Sequence, residues 1–324
     1  MKSAKLIDDK IEIVELDVPK LTGEGAIIKV IGCGLCGSDL VKIKHKTKNI
    51  ILGHEVVGEI VDINSKTDFK IGDIVAVAHH YPCLDEKNCQ YCKNGSYSMC
   101  KTFKSVNIFP AGFSEYIKVD ENHLKYTVYK MNKNLEYDEM AFLEPLSCCI
   151  RAVRRAGFIY GKNNEIHSAL VVGLGSIGLL MMKALSAYKV EVCGFDVSDE
   201  RMELAQNQGF DFKEKKYDAV FLCAGNSKAL DTALKYVIDG GKIIVFSSIQ
   251  DDDIGFSNNE IYYRELSVIA SYSPAPIDIK QSSEFLNTGL VKVKGLSTHY
   301  PLDKLACAVD DSFKGKVFKA YIQI

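Results

Sequence analysis

Apolar residues follow two different periods along this chain. In the first 31 residues they alternate with polar ones (Ile11, Ile13, Val14, Leu16, then Ile27, Ile28, Val30), and Gly23 and Gly25 mark a turn between the two groups. Alternation at period two predicts half-buried antiparallel strands. Further strand-like runs at 56–63, 74–78 and 113–119 extend this into a mostly β body over the first 120 residues. The middle of the chain changes character. An apolar run, Ala169-Leu170-Val171-Val172, gives way to helical spacing at Leu179, Leu180, Met182 and Leu185, and a second buried-strand run follows at 190–195. Helix at 200–208, strand at 217–223, helix at 229–238, then strands at 242–246 and 266–270 complete the predicted series. Strands alternating with helices imply a parallel sheet covered on both faces.

One interval in that series is short. Between Gly209 and Tyr217 lie only Phe210-Asp211-Phe212-Lys213-Glu214-Lys215-Lys216. A further strand with its return helix needs well over a dozen residues, because a parallel crossover alone takes about that many. Seven extended residues reach about 23 Å, enough to pass beneath two or three strands. The usual third strand is therefore expected to be lost or rudimentary, its return helix absent, and the adenine side of a bound dinucleotide less enclosed.

Between the first two middle strands, Gly173, Gly175 and Gly178 fit G-x-G-x-x-G, with Ser176 and Ile177 inside the turn. Gly173 allows the tight turn, Gly175 lets a pyrophosphate approach bare backbone, and Gly178 lets helix pack on strand. The following helix offers free N–H groups to phosphate. Asp196 ends the next strand about 20 residues on, where an acid accepts hydrogen bonds from a ribose diol. Asp196 favours NAD over NADP, and Arg201, at the start of the following helix, is the residue that would turn toward a 2′-phosphate.

Composition narrows the field. A length of 324 residues suggests two domains. A net charge of −2 without a long basic run gives no footprint for nucleic acid. The most apolar window, 168–187, is broken by glycines and Lys183 and does not read as a membrane span. The N-terminal residues lack an apolar signal core, so a cytoplasmic location is expected. In a reducing compartment, clustered cysteines among the eleven point to metal rather than disulfides.

Cys83, Cys89, Cys92 and Cys100 form such a cluster, with C-x2-C at its centre. Four thiolates close a tetrahedral zinc site with no open position, which makes it structural. Cys36 on a glycine-flanked turn and the His54-Glu55 pair supply three further donor types that zinc prefers. Three protein ligands leave the fourth position for substrate. His123, His167, Cys193, Cys223 and Cys307 have no partners in sequence and are read as surface or core residues; Cys148-Cys149 follow Glu144, where approach to the zinc is the alternative to the core packing expected of them.

Together these motifs resemble the zinc-containing medium-chain dehydrogenase/reductase family, and within it the polyol (sorbitol/iditol) and threonine dehydrogenase branch. The resemblance runs from 34–39 and Gly53-His54-Glu55 through the cysteine lobe, 111–116, Glu144-Pro145-Leu146 and the glycine turn to Gly315-Lys316. It implies a GroES-like β catalytic domain, 1–145 plus 272–324, with a Rossmann domain, 146–271, inserted. It places the catalytic zinc on Cys36, His54 and either Glu55 or Glu144. It gives Ser38 the task of passing the substrate proton outward and Lys319 that of reaching the cofactor pyrophosphate. It also implies a homo-oligomer, dimer or tetramer. Three departures stand out. Five residues rather than two separate Cys83 from Cys89, Val41 stands where many members carry the histidine ending the proton relay, and the Ser38–His54 connection is short.

The implied reaction is NAD-dependent oxidation of a secondary alcohol, a polyol or sugar-derived one, and the reverse ketone reduction. Zinc would act as a Lewis acid and the nicotinamide would accept hydride. Threonine or simple alcohol oxidation is the alternative within the family. A non-catalytic dinucleotide- and zinc-binding protein is the alternative of another class.

Overall fold

The computed structural model describes residues 1–8, 10–45, 47, 49–162, 166–247 and 255–324. These form two compact units, Met1–Ser147 with Ala275–Ile324, and Cys148–Pro274.

The first unit begins with β1 (Lys2–Ile7), β2 (Lys10–Glu15) and β3 (Gly25–Gly34), followed by β4 (Ile50–Ile51), β5 (Glu55–Asn64), β6 (Ile74–Val77), β7 (Tyr116–Asp120) and β8 (Val128–Lys130). The second unit contributes β9 (Ser168–Val172), β10 (Glu191–Phe195), β11 (Tyr217–Leu222), β12 (Val237–Val245) and β13 (Ser267–Ala270). The chain then returns to the first unit with β14 (Ser297–Pro301) and β15 (Lys319–Gln323).

The first unit is the β body that alternation predicts. Its largest sheet runs β14-β15-β3-β5-β6-β8, with β7 also paired to β3, and a smaller sheet runs β2-β1-β4. Inward positions of the long strands (Ile28, Val30, Val56, Ile60) join Val75, Val77, Phe113 and Ile117 in one buried cluster. β3 is central. It pairs antiparallel with β5, β7 and β15, which brings residues 34, 55 and 320 of the chain side by side.

The second unit is a five-stranded sheet in the order β10-β9-β11-β12-β13, every neighbour parallel. Helices Ser176–Ala187, Asp199–Asn207 and Ser227–Tyr236 connect its strands. The expected gap is present: neither strand nor helix lies between Gly209 and Tyr217, and the chain crosses from β10 to β11 on the far side of β9. Side chains of this crossing cover the edge that lacks a neighbour. The Phe212 ring packs 5.2 Å from Phe195 and 5.4 Å from Tyr236, and Lys213 and Lys215 donate to Glu191 at 3.0 and 2.7 Å. β12 starts earlier than the 242–246 run suggests, because the helix ends at Tyr236 and the extended chain resumes directly at Val237.

No described helix is long and apolar enough to cross a membrane.

Candidate metal centres and dinucleotide turn

The helix Gly37–Lys44 starts where β3 ends, and Cys36 is its N-cap. His54 and Glu55 open β5, the strand that lies beside β3. Two adjacent strands thus deliver three donors, and the ligand atoms of Cys36, His54 and Glu55 all lie within 4.8 Å of one another. Glu144, in the first turn of the helix Leu143–Arg155, is buried but does not join this cluster. Ser38 is exposed on the first turn of the helix that Cys36 caps.

Asp39, the last residue of the 34–39 motif, organises the candidate ligands. It is fully buried and accepts from Cys36 N at 3.2 Å and Gly53 N at 3.5 Å, and its Oδ1 lies 3.5 Å from His54 Nδ1. With Nδ1 held in this way, Nε2 of His54 would be the nitrogen left for a metal, as is usual for a ligating histidine. Burial disfavours the charged imidazole of His54, but Asp39 and then Cys36 outweigh it and raise the His54 pKa well above its ordinary value.

Behind Glu55 sits a buried amine. The resemblance assigns Lys319 to the cofactor pyrophosphate; in the structure Lys319 Nζ donates to Glu55 Oε1 at 2.6 Å, and both side chains are almost fully buried. Burial works against the ammonium, yet Glu55 and Cys36 hold the Lys319 pKa above its usual value. Gly34 makes room for the pair, since a Cβ there would lie 1.9 Å from Glu55 Oε2 and 3.1 Å from Lys319 Cε.

The four lobe cysteines also converge. Their sulfurs lie within 4.8 Å of one another, with Cys83–Cys92 at 3.6 Å and Cys83–Cys100 at 3.5 Å. Tetrahedral Zn–S bonds of about 2.3 Å place sulfurs roughly 3.8 Å apart, whereas a disulfide requires about 2.05 Å, so the spacing fits a metal. Cys83 N donates to Cys100 Sγ at 3.4 Å. Against the opposing effect of burial, such backbone donors bring the Cys100 pKa down to about 6, toward the thiolate a metal takes. The five-residue spacer is absorbed by a turn on Asp85, whose carboxylate accepts from Lys87 N, Asn88 N and Asn88 Nδ2 at 3.1, 3.0 and 2.8 Å. Cys89 N then bonds Asp85 O at 2.9 Å and Cys89 caps the short helix Gln90–Lys93.

Next to the first cluster stand two histidines at the end of β6. The His79 ring lies 4.5 Å from His54 and 3.8 Å from His80, and burial, then His54 and His80, push the His79 pKa well below its ordinary value. His123 also has partners that sequence does not reveal: His79 O at 3.2 Å and Asp120 at 2.9 Å, the latter also accepting from Tyr81 OH at 2.6 Å.

In the second unit the glycine turn has the geometry its spacing requires. Gly173 has φ +93°, a Cβ on Gly178 would sit 1.8 Å from Gly173 O, and a Cβ on Gly175 would meet nothing within 4 Å. Gly175 is the N-cap of the helix Ser176–Ala187, so the N–H groups of the first helical turn, Ser176 and Ile177 included, are the ones free to meet an anion. Asp196 is joined to this turn: its Oδ2 accepts from Leu174 N at 2.6 Å and its Oδ1 from Ser198 N at 3.0 Å. Arg201 pairs with the same carboxylate at 3.4 Å. Cys149 and Cys193 are buried.

Known proteins match along both units. Residues 23–130 match the alcohol dehydrogenase GroES-like domain, and residues 176–288 match the zinc-binding dehydrogenase model. Sorbitol dehydrogenase of Bacillus subtilis is 28% identical over 354 residues, covering 99% of this chain and 97% of its own. L-threonine 3-dehydrogenase of Pyrococcus abyssi is 31% identical over 287 residues, covering 79% of this chain and 78% of its own. Among solved structures, galactitol-1-phosphate dehydrogenase of Escherichia coli superposes with a TM-score of 0.85 at 23% identity, covering 100% of both chains.

Proposed function

From the premise that this chain belongs to the zinc-binding alcohol dehydrogenase family, we propose that it oxidises a secondary alcohol of a polyol or sugar-derived substrate with NAD, and reduces the ketone in reverse. The observation that carries this reading is the convergence of Cys36, His54 and Glu55 within 4.8 Å, three donors with a fourth position left for substrate. Of the two candidate carboxylates, Glu55 is taken as the third ligand, because its oxygen lies within 4.8 Å of the Cys36 and His54 ligand atoms.

Zinc held by these residues would supply Lewis acidity that lowers the proton affinity of the substrate oxygen. Bound NAD would supply the hydride acceptor. The chain's own residues do the rest. Asp39 fixes the His54 tautomer through Nδ1 and ties Cys36 and Gly53 to the same carboxylate. Lys319 neutralises Glu55 from behind. Ser38, exposed two residues from Cys36, takes the substrate proton and passes it outward, and Val41 offers no group to continue that path. The first turn of the helix after Gly175 receives the pyrophosphate, and Asp196 receives the ribose diol and disfavours a 2′-phosphate. The lobe cysteines hold a structural zinc.

The reading includes a cytoplasmic setting, in which thiols stay reduced. It also includes a homo-oligomer, dimer or tetramer, supported by the edge strand β13, where Val268 is 38% exposed, and by Tyr272 just beyond it, 64% exposed. Sedimentation giving a monomer at micromolar concentration would contradict the latter. The test of function is kcat/KM on polyols, amino alcohols and simple secondary alcohols with NAD and NADP. A polyol is expected to lead. L-threonine leading would favour the second reading, which the 31% identical relative supports. No turnover with any of them would overturn both.

A further inference from the structure

The first unit holds both the three-donor cluster and the cysteine lobe. A continuous row of rings joins them. From His54 the ring centroids step 4.5 Å to His79, 3.8 Å to His80 and 5.0 Å to Phe103. Phe103 is buried against Cys92 and Cys100 of the lobe. His80 is attached to the lobe a second time, since its Nδ1 donates to the carbonyl of Val106, just beyond the lobe helix Lys101–Ser105. The backbone of His79 is clamped from the other side by His123, which the Asp120 carboxylate holds in turn.

We propose that His80 is a positioning residue: the row of rings it completes presses His79 against His54, so that the folded cysteine lobe sets the geometry at Cys36, His54 and Glu55. Asp39 fixes one edge of the His54 imidazole through Nδ1 but does not fix its rotation about that contact. A packed ring beside it removes that freedom. Close-packed interiors transmit displacements because they cannot absorb them as voids, and groups that orient a ligating histidine affect metal affinity by about 10- to 100-fold. Neither His79 nor His80 occupies a ligand position, and their place between the two clusters is otherwise unaccounted for. The lobe thus does more than stabilise its own loop, since its integrity determines how rigidly the open centre is held.

This rests on the reading of both clusters as metal sites, and the test separates the two. Protein is prepared with zinc in the lobe and cobalt at the three-donor site. Visible cobalt bands and the rate of cobalt release to a chelator are then recorded, neither of which depends on turnover. His80→Ala should shift the bands and speed release about tenfold, with lobe zinc and melting temperature near wild type. His80→Phe, which keeps a ring between His79 and Phe103, should restore both readouts most of the way. Coupling through packed side chains has to be demonstrated by such perturbation rather than inferred from adjacency. Wild-type spectrum and release in His80→Ala would overturn the proposal. So would loss of lobe zinc in that variant, which would make His80 a residue of the lobe's own folding, or His80→Phe as perturbed as His80→Ala. Failure of the wild type to bind cobalt at Cys36 and His54 would instead overturn the reading of the centre itself, and this proposal with it.

Discussion

Lys319 and Glu55, 264 positions apart, meet in the interior of the first unit with Nζ 2.6 Å from Oε1. A buried pair of this kind is costly to break from one side, because the charge left behind has lost its solvent and its partner. On the proposed reading Glu55 would serve two cations, the Lys319 ammonium and the metal.

Lys319→Met is accordingly expected to destabilise the metal-free protein by about 3 kcal/mol, and the double variant with Glu55→Gln by less than the sum of the singles. Urea unfolding of the four proteins measures this. On the metal side, Glu55→Gln should weaken cobalt or zinc binding at the three-donor site by 10-fold or more, while Glu144→Gln should leave it within a few fold. The opposite order would assign the third ligand to Glu144.

On the proposed reading cofactor choice rests on Asp196, whose carboxylate accepts from Leu174 N and pairs with Arg201. NAD is expected to give the higher kcat/KM. Asp196→Ser removes the charge that repels a 2′-phosphate and releases Arg201, so the NAD:NADP ratio should fall by about tenfold or more, on the order of 1.4 kcal/mol. A ratio unchanged in this variant would place the discrimination elsewhere.

Asp218 accepts from His167 N, Ser168 N and Ser168 Oγ at 2.9, 2.8 and 2.9 Å, tying β11 to β9. Burial opposes its ionisation, but these three bonds prevail and hold its pKa below the usual 3.8. A carboxyl depressed in the folded state contributes stability that is full above its unfolded pKa of about 3.9 and is lost as pH falls through the folded value. Asp218→Asn should therefore cost about 1 kcal/mol at neutral pH, and the gap to wild type should close in acid below about pH 4. A gap that stays constant into acid would refute the charge-based account.

The edge of the second unit's sheet offers a structural test. Phe212 stands in for the missing strand by packing on Phe195 and Tyr236. Its ring is partly buried, so Phe212→Ala should cost about 1–2 kcal/mol, below the range for a fully buried ring. NAD affinity should change little, since the glycine turn and Asp196 lie on the first two strands of the unit. A tenfold loss of NAD affinity would show that the crossing segment takes part in the cofactor site.

Much of this arrangement was legible in the sequence where the determinant is local. The roles of Gly173, Gly175 and Gly178 follow from backbone sterics within six residues, and the cysteine lobe closes within eighteen, so spacing alone suggests both. The missing strand could be inferred because chain length is an absolute limit on reach. Asp39 was visible in its motif but not as the acceptor for Cys36, Gly53 and His54, since that requires the β3–β5 register to place two loops together. The Lys319–Glu55 contact and the row from His54 to Phe103 were illegible for the same reason. They depend on which strands become neighbours, and no pattern within either segment encodes its partner.

On the proposed reading, turnover depends on the centre at Cys36 and His54 while the cysteine lobe serves the fold. Zinc content and NADH formation with the best polyol, measured together on wild type, Cys36→Ser and Cys92→Ser, test it most directly. Wild-type protein should hold two zinc ions per chain. Cys36→Ser should remain folded, keep the lobe zinc and lose activity by about a thousandfold or more, the order expected when a principal catalytic group is removed. Cys92→Ser should give a low yield of folded protein, because zinc binding at a closed site contributes to folding. A wild type that binds a single zinc, or a Cys36→Ser variant that turns over polyol at the wild-type rate, would contradict it.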